Sequence, residues 1–396
     1  MKHKSVLLEE VINYLNVKQG GIYVDATVGY AGHSSVILKK IGKEGVLFAF
    51  DQDDEAIEYS NKRLSEIGNN FTIFKSNFVN MKKYINESVD GILFDLGVSS
   101  PQLDEAERGF SFHKDAPLDM RMDQSNPLNA KIVVNEYSYQ KLTEILFKFG
   151  EEKYAKSIAK AIIEARPIET TLELAEVIKN SVPISYRNKS HPARKTFQAI
   201  RIEVNHELDI LESSLRDAFD LLKVGGRLEV ISFHSLEDKI VAKVFKDLCS
   251  DDVSTRKLPV VPIELSARAK KIVKITPSDD ELDDNNRSRS SKLRVIERVR
   301  SMKQKRYVKT KGEGLLKTLA VIFFVAFLLS TFVLSAKVQS SNSELQRLKS
   351  KIESQEKMNL SMQMKINELA SLDNALEVAD ANDLKYNNSN IRVISK

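Results

Sequence analysis

The sequence predicts an α/β fold, an open parallel sheet flanked by helices, with a helical insertion and then one transmembrane helix and a coiled coil. Three observations predict it. Short apolar runs alternate with helical patterns through the first hundred residues, the signature of βαβ units. A long, mostly helical stretch then separates these runs from a further strand-like segment. Near residue 318 an uncharged stretch begins, and apolar residues at heptad spacing follow it.

Taken in order, Gly21–Thr27 (GIYVDAT) reads as a buried strand, Ser34–Ile41 as a helix and Gly45–Phe50 (GVLFAF) as a second strand. Phe71–Phe74 and Asp90–Phe94 (DGILF) continue the series. From Asn135 to about Leu222 the periodicity is mostly helical, and Gly225-Gly226 leads into Arg227–Phe233 (RLEVISF). A helical insertion inside an α/β domain accounts for that order. Arg298 to Lys317 holds eight Lys or Arg and one acidic residue, Glu313, and residues 318–336 carry no charge. With Leu315 and Leu316 this stretch, at about 1.5 Å rise per residue, is long enough to cross a hydrocarbon core of about 30 Å. The basic run before it (a linker over 300–314) predicts a cytoplasmic N-terminal part and an exported tail, hence a single-pass protein of the inner (cytoplasmic) membrane. Leu345, Leu348, Ile352, Met362, Ile366 and Leu369 form a heptad seam over 337–379, weakened by Gln355 and Asn359, which suits a hetero-oligomer or a marginal homodimer. Residues 380–396 read as a flexible tail.

Composition sets limits. The net charge of +5 over 396 residues does not by itself demand a nucleic-acid partner. The single cysteine, Cys249, excludes an intrachain disulfide and a multi-cysteine zinc site, and no metal is expected. Polar Glu9 and Glu10 interrupt the first apolar run too early for a signal peptide.

In an open parallel sheet, ligands bind beyond the carboxyl ends of the strands. The first predicted strand runs into the small-residue loop Asp25–Ser34, the second ends in Asp51, and the fourth runs into Asp95-Leu96-Gly97-Val98-Ser99-Ser100-Pro101-Gln102. A Gly29-x-x-Gly32 loop followed by an acidic strand end suits an adenosine-containing cofactor but does not separate S-adenosylmethionine from NAD. An NAD-binding oxidoreductase or a non-catalytic nucleotide-binding module stays open on these residues.

Longer motifs narrow the choice. DATVGYAGHS, ILFDLGVSSPQLDEAERGFSFHKDAPLDMRMD, FGEEKYAKSIAKAI, HPARKTFQAIRIEVN, GGRLEVISFHSLED and RSRSSKLRVIER together resemble the MraW (RsmH) family of bacterial methyltransferases, over about residues 1–299. The resemblance implies a Rossmann-like fold and S-adenosylmethionine-dependent methylation of cytosine N4 in small-subunit (16S) ribosomal RNA. It also implies the bounds of the helical insertion, residues 105–205 within a core of 1–104 and 206–299. It further implies cofactor contacts at Ala31, Gly32, His33, Asp51, Phe78, Asp95 and Gln102. Ala31 stands where the family usually has glycine. The chemistry gives Asp95 the role of taking the amine proton, with the backbone carbonyls of Gly97–Pro101, and places His234 beside the base or capping the next helix. Arg187, Lys189, His191, Arg194, Lys195 and Arg201 with Phe197 among them, and Arg287, Arg289, Lys292 and Arg294, read as phosphate-binding patches. Chemistry at cytosine C5 needs a cysteine nucleophile, and Cys249 lies outside every motif. The segment from about Arg300 onward resembles the cell-division protein FtsL in architecture, which implies pairing with single-span proteins of the FtsB type and with FtsQ. A tail that only anchors the enzyme is the alternative.

Overall fold

The computed structural model describes residues 5–188, 191–251, 266–300 and 311–383. They fall into two units, residues 1–304 and 305–396.

The first unit is built on a seven-stranded sheet. Helix α1 (Leu8–Tyr14) precedes β1 (Ile22–Asp25), α2 (Gly32–Ile41), β2 (Val46–Asp51), α3 (Asp54–Ser65), β3 (Phe71–Lys75), the short α4 (Met81–Tyr84) and β4 (Val89–Asp95). Seven helices follow: α5 (Ser100–Asp104), α6 (Ala130–Glu136), α7 (Tyr139–Gly150), α8 (Ala155–Ala165), α9 (Thr171–Asn180), α10 (Ile184–Arg187) and α11 (Ala193–Asn205). Then come α12 (Leu211–Leu221), β5 (Leu222–Ser232), α13 (Ser235–Leu248), β6 (Ala269–Ile275), α14 (Asp279–Asp284) and β7 (Lys292–Arg298). The strand order is β3-β2-β1-β4-β5-β7-β6. Strands β1 to β5 run parallel, so the order reverses between β1 and β4.

The sheet is mixed rather than wholly parallel, because β7 pairs antiparallel with both β5 and β6. These two strands escape the sequence pattern because lysines and arginines alternate with their apolar residues (AKKIVKI, KLRVIER). Lys292 and Arg294, read above as a phosphate patch, lie on β7 and bond the Asp238 carboxylate at 3.1 and 2.6 Å. Period-2 alternation puts Lys292 and Arg294 on one side of β7 and Leu293 and Val295 on the other.

Two apolar layers cover the sheet. One joins Phe50, Ile92, Phe94, Leu228 and Val230 to Phe219 of α12 and Val241, Val244 and Phe245 of α13. The other joins Leu47, Leu93, Ile231 and Val295 to α1 and α2. Gly91 of β4 is required there, since a Cβ would sit 2.8 Å from Leu15 and 2.9 Å from Tyr23. Helices α6 to α9 and α11 share a separate core around Leu142, Leu146, Ile158, Leu174, Ile178 and Ile200. The amphipathic patterns explain the grouping: each helix buries one stripe and leaves the other wet.

In the second unit, α15 runs unbroken from Lys311 to Leu369, followed by α16 (Leu372–Ala381). From Val321 onward α15 is long and apolar enough to cross a membrane by length and composition. Phe323, Phe324 and Phe332 are 80%, 65% and 76% exposed, so within this unit no core of described residues covers them. The heptad residues from Leu345 to Leu369 lie on the same helix and are likewise exposed. Residues 301–310 of the expected basic linker and 384–396 of the expected tail lie outside the described residues.

Candidate active site

Three strands of the parallel sheet end in aspartate. β1 ends in Asp25, β2 in Asp51 and β4 in Asp95. Because β1 sits between β2 and β4 in parallel register, the three carboxylates converge at one sheet edge, at the reversal of strand order. Asp25 was not singled out by its motif. The signal was present, since IYVD, VLFAFD and VDGILFD repeat one pattern.

Each acid is held differently. Buried Asp25 accepts the Ser34 hydroxyl at 2.6 Å and the Thr27 N–H at 3.2 Å. Asp51 accepts N–H groups from Gly29 at 2.8 Å, Gln52 at 2.8 Å and Asp53 at 3.0 Å. Its hydrogen bond from Gly29 ties the first loop to the second strand end. Burial pushes the pKa of Asp25 and of Asp51 up to about 6, against the pull of these hydrogen bonds. Asp95 lies well above the usual carboxylate range through burial, then through Asp25 and Glu237. Its Oδ1 is buried without a hydrogen-bond partner, and its Oδ2 lies 3.5 Å from His33 Nδ1.

His33 does not cap α2. The N-cap is Ala31, in the left-handed region at φ 55, a conformation that costs a non-glycine residue about 1–2 kcal/mol. The His33 ring is buried, with Nε2 3.0 Å from the Val6 carbonyl. The N-terminal segment therefore lies over the loop. Gly32 is needed because a Cβ there would fall 1.8 Å from Ser5 Oγ. The Leu7 N–H, from a residue also at positive φ, donates to Glu281 of α14 at 2.8 Å.

Phe78 follows β3 in a 3-10 turn and meets Phe94 edge-on at 5.3 Å, half-buried. Gln102 is buried and bonded just beyond the end of β2. Its amide closes the capping box of α5 with Ser99, and its Nε2 donates to Asp53 Oδ2 at 2.7 Å. The same oxygen takes Arg108 Nη2 at 2.8 Å, with Arg108 6% and Asp53 3% exposed. That buried pair, absent from the sequence reading, fastens the chain after α5 to the start of α3.

His234 caps α13: its Nδ1 accepts the Glu237 N–H, while Glu237 Oε2 accepts the Phe233 and His234 N–H groups. Its Nε2 lies 3.1 Å from Glu237 Oε1. Glu207, His234 and Glu237 bring ligand-type atoms within 4.8 Å of one another, but Arg201 already grips Glu207 with two bonds of 2.8 Å. Arg201 is thus committed within the protein and is not a free phosphate contact. Lys195 donates to the Glu151 carbonyl and Arg187 to the Val182 carbonyl, whereas Arg194 and Arg289 are exposed. Phe197 is buried at 3% exposure, so it offers no face to a ligand. Lys189 lies outside the described residues, as does the side chain of Arg287. Cys249, half-buried at the end of α13, has its thiol pushed up to about 11 by burial.

Residues 1–299 match the family model described as the MraW methylase family. The chain belongs to that family. A relative from Exiguobacterium sibiricum named ribosomal RNA small subunit methyltransferase H is 52% identical over 76% of this chain and 99% of its own. A relative of the same name from Mycoplasma mycoides subsp. mycoides is 51% identical over 75% and 99%. Among solved structures, an rRNA methylase from Streptococcus thermophilus aligns over 74% of this chain and 94% of its own, at 13% identity and TM-score 0.32. Like other MraW methylases, the chain is a methyltransferase whose methyl donor is S-adenosylmethionine. The site suits that donor on its own terms. Three crowded acids whose pKa values burial raises, one with an oxygen unpartnered among the described residues, favour a ligand carrying positive charge, and a sulfonium with an ammonium is such a ligand. The family match ends at residue 299, before α15.

Proposed function

We propose that this protein methylates the N4 amine of a cytosine in small-subunit ribosomal RNA. The observation that carries the reading is the convergence of Asp25, Asp51 and Asp95 on one strand-end site, and the names of the relatives supply the substrate class. S-adenosylmethionine supplies an electrophilic methyl group on a good leaving thioether. The protein's task is alignment, and restricted orientation is worth several kcal/mol.

Asp51, Gly32, Phe78 and the Ala31–His33 turn are the residues to hold the donor, with His33 fixing the N-terminal segment over the loop. Asp95 stands at the end of β4 with one oxygen unengaged. A cation brought beside it lowers its pKa and restores an acceptor that draws a proton from the amine. The Ser99 and Pro101 carbonyls are taken by the Leu103 and Glu105 N–H groups, so Gly97 and Val98, ahead of α5, are the backbone candidates. Gly97 reaches φ 95 to make that turn. His234 acts here by holding α13 and Glu237 in place. The RNA must present an unstacked base. Arg194 and Arg289 are the exposed arginines among the proposed phosphate contacts, joined by Lys189 and Arg287 from the sequence alone.

For the second unit, α15 anchors the enzyme as one membrane span, with the first unit cytoplasmic. The exposed heptad seam pairs with another single-span protein of the FtsB and FtsQ kind, giving the tail an FtsL-like role in division. Support for this is the apolar stretch, its basic flank and the heptads alone. Co-purification with division proteins after deletion of residues 1–299 tests it against a plain anchor.

The enzymatic test is transfer of labelled methyl from S-adenosylmethionine to undermethylated small subunits, with the product mapped by mass spectrometry. Asp95→Ala should lower the rate at least a hundredfold. No transfer by the wild type, or full activity in the variant, refutes the proposal.

A further inference from the structure

Loop residues 110–115 (FSFHKD), between α5 and α6, carry aromatic rings that the site above does not use. Phe112 stacks on His191 with centroids 4.3 Å apart and planes at 17°. His113 lies 4.4 Å from Phe112 and 5.5 Å from His191. Beneath them, Phe197 meets Phe112 edge-on at 5.5 Å. Phe197 closes the helical core, so packing is complete at that level. Above it, Phe112 and His191 are half-buried and His113 is exposed. A ring set that continues outward past a finished core presents π-faces to solvent.

The surroundings have one dominant sign. Lys114 and Arg194 are exposed beside the rings, with Asp115 as the neighbouring acid in the loop. Burial, then His113, Arg194 and Lys179, hold the His191 pKa below its usual value, which keeps that ring neutral and stackable at pH 7. The loop is also tied to the methyl-transfer site. Lys114 Nζ donates to the Asp104 carbonyl at the end of α5, whose N-cap Ser99 closes the Gly97 turn. Phe112, Val98, Leu103 and Leu236 pack against the same core.

We propose that Phe112, His113 and His191 form a stacking platform for an unpaired RNA base flanking the modified cytosine, with Arg194 contacting the adjoining phosphate. This rests on the RNA-methylation reading for the identity of the strand, although the platform is tested by binding alone. Aromatic faces bind bases with little sequence preference and Arg supplies a salt-dependent contact.

The test uses the full-length chain in detergent and a single-stranded RNA of about a dozen nucleotides carrying one 2-aminopurine. Binding of wild-type protein should quench the fluorophore, and H113A/H191A should lose the quench and bind about tenfold or more weakly. H113F/H191F should keep both. Phenylalanine at 191 loses the bond to the Ala193 N–H just as alanine does, so the contrast isolates the ring. The salt dependence should be unchanged in H113A/H191A and reduced in R194A. Thermal melting of each variant reports folding. Quenching and affinity at wild-type level in H113A/H191A, or alanine-like behaviour of the phenylalanine pair, overturns the proposal. RNA that quenches but is never methylated would reject the methylation reading and leave the platform standing. Methylation without quenching would do the reverse.

Discussion

Replacing Arg108 by leucine tests what fastens the chain beyond α5 to the sheet. Arg108 Nη2 lies 2.8 Å from Asp53 Oδ2, and the two side chains are 6% and 3% exposed. The same guanidinium bonds Glu55 at 3.2 Å and the Arg121 carbonyl at 3.0 Å. In Arg108→Leu, Asp53 keeps the Gln102 amide and the Glu55 N–H but loses its only charge partner seen among the described residues. Breaking a buried pair from one side costs about 3–5 kcal/mol. At about 2–4 °C per kcal/mol for a unit of this size, Tm should fall by roughly 6–20 °C. Scanning calorimetry in detergent measures it. Asp53→Asn added to Arg108→Leu removes the stranded charge and should recover at least half of the loss. A single variant melting within about 2 °C of wild type would refute the reasoning, as would a double variant no more stable than the single.

Other outcomes follow from buried titratable groups. Glu229 of β5 is buried with both carboxyl oxygens unpartnered, and burial raises its pKa well above 4.5. Its stabilising contribution is complete below the unfolded-state pKa and is lost as pH rises toward the folded one. Glu229→Leu should therefore gain on wild type with rising pH, by about 1–3 kcal/mol near pH 8, and a gap independent of pH in denaturant titrations would contradict this. Asp51, with its pKa pushed up to about 6, binds hydroxyl donors as the ionised form. S-adenosylmethionine affinity by calorimetry should weaken as pH falls through 6, and Asp51→Asn should lose the part of that dependence that Asp51 carries, leaving the part due to Asp25 and Asp95. The Cys249 thiol, pushed up to about 11, should resist iodoacetamide at pH 8 in the folded chain and react on unfolding. Rapid labelling of native protein, read by mass spectrometry, would contradict the burial.

The parallel strands were legible because each is a short apolar run ending in an acid and followed by a helical pattern. β6 and β7 were not: lysines interrupt the apolar run of β6, and the charges of β7 imitate a phosphate patch until Asp238 is seen opposite Lys292 and Arg294. Motif reading named Asp51, Asp95 and the Ala31–His33 loop, and the structure places them side by side. It missed Gln102's bond to Asp53, 49 positions away, and Arg201's engagement with Glu207, six positions on but past the end of α11, where helical spacing does not pair them. Arg108 reads as an ordinary exposed arginine until the fold places Asp53 beside it. Exposure decided the fate of the aromatics: Phe197, not distinguishable from Phe112 by type, lies beneath it.

The Leu7–Glu281 bond joins residues 274 positions apart, and it has a consequence during synthesis. The segment over Gly32 emerges first from the ribosome, yet its tether to α14 emerges near the end of the first unit. At about 5–20 residues per second, that interval is roughly 14–55 s. Nascent chains halted before residue 281 should therefore leave the segment over Gly32 unlatched, and the latch closes only when translation is already nearing the apolar helix.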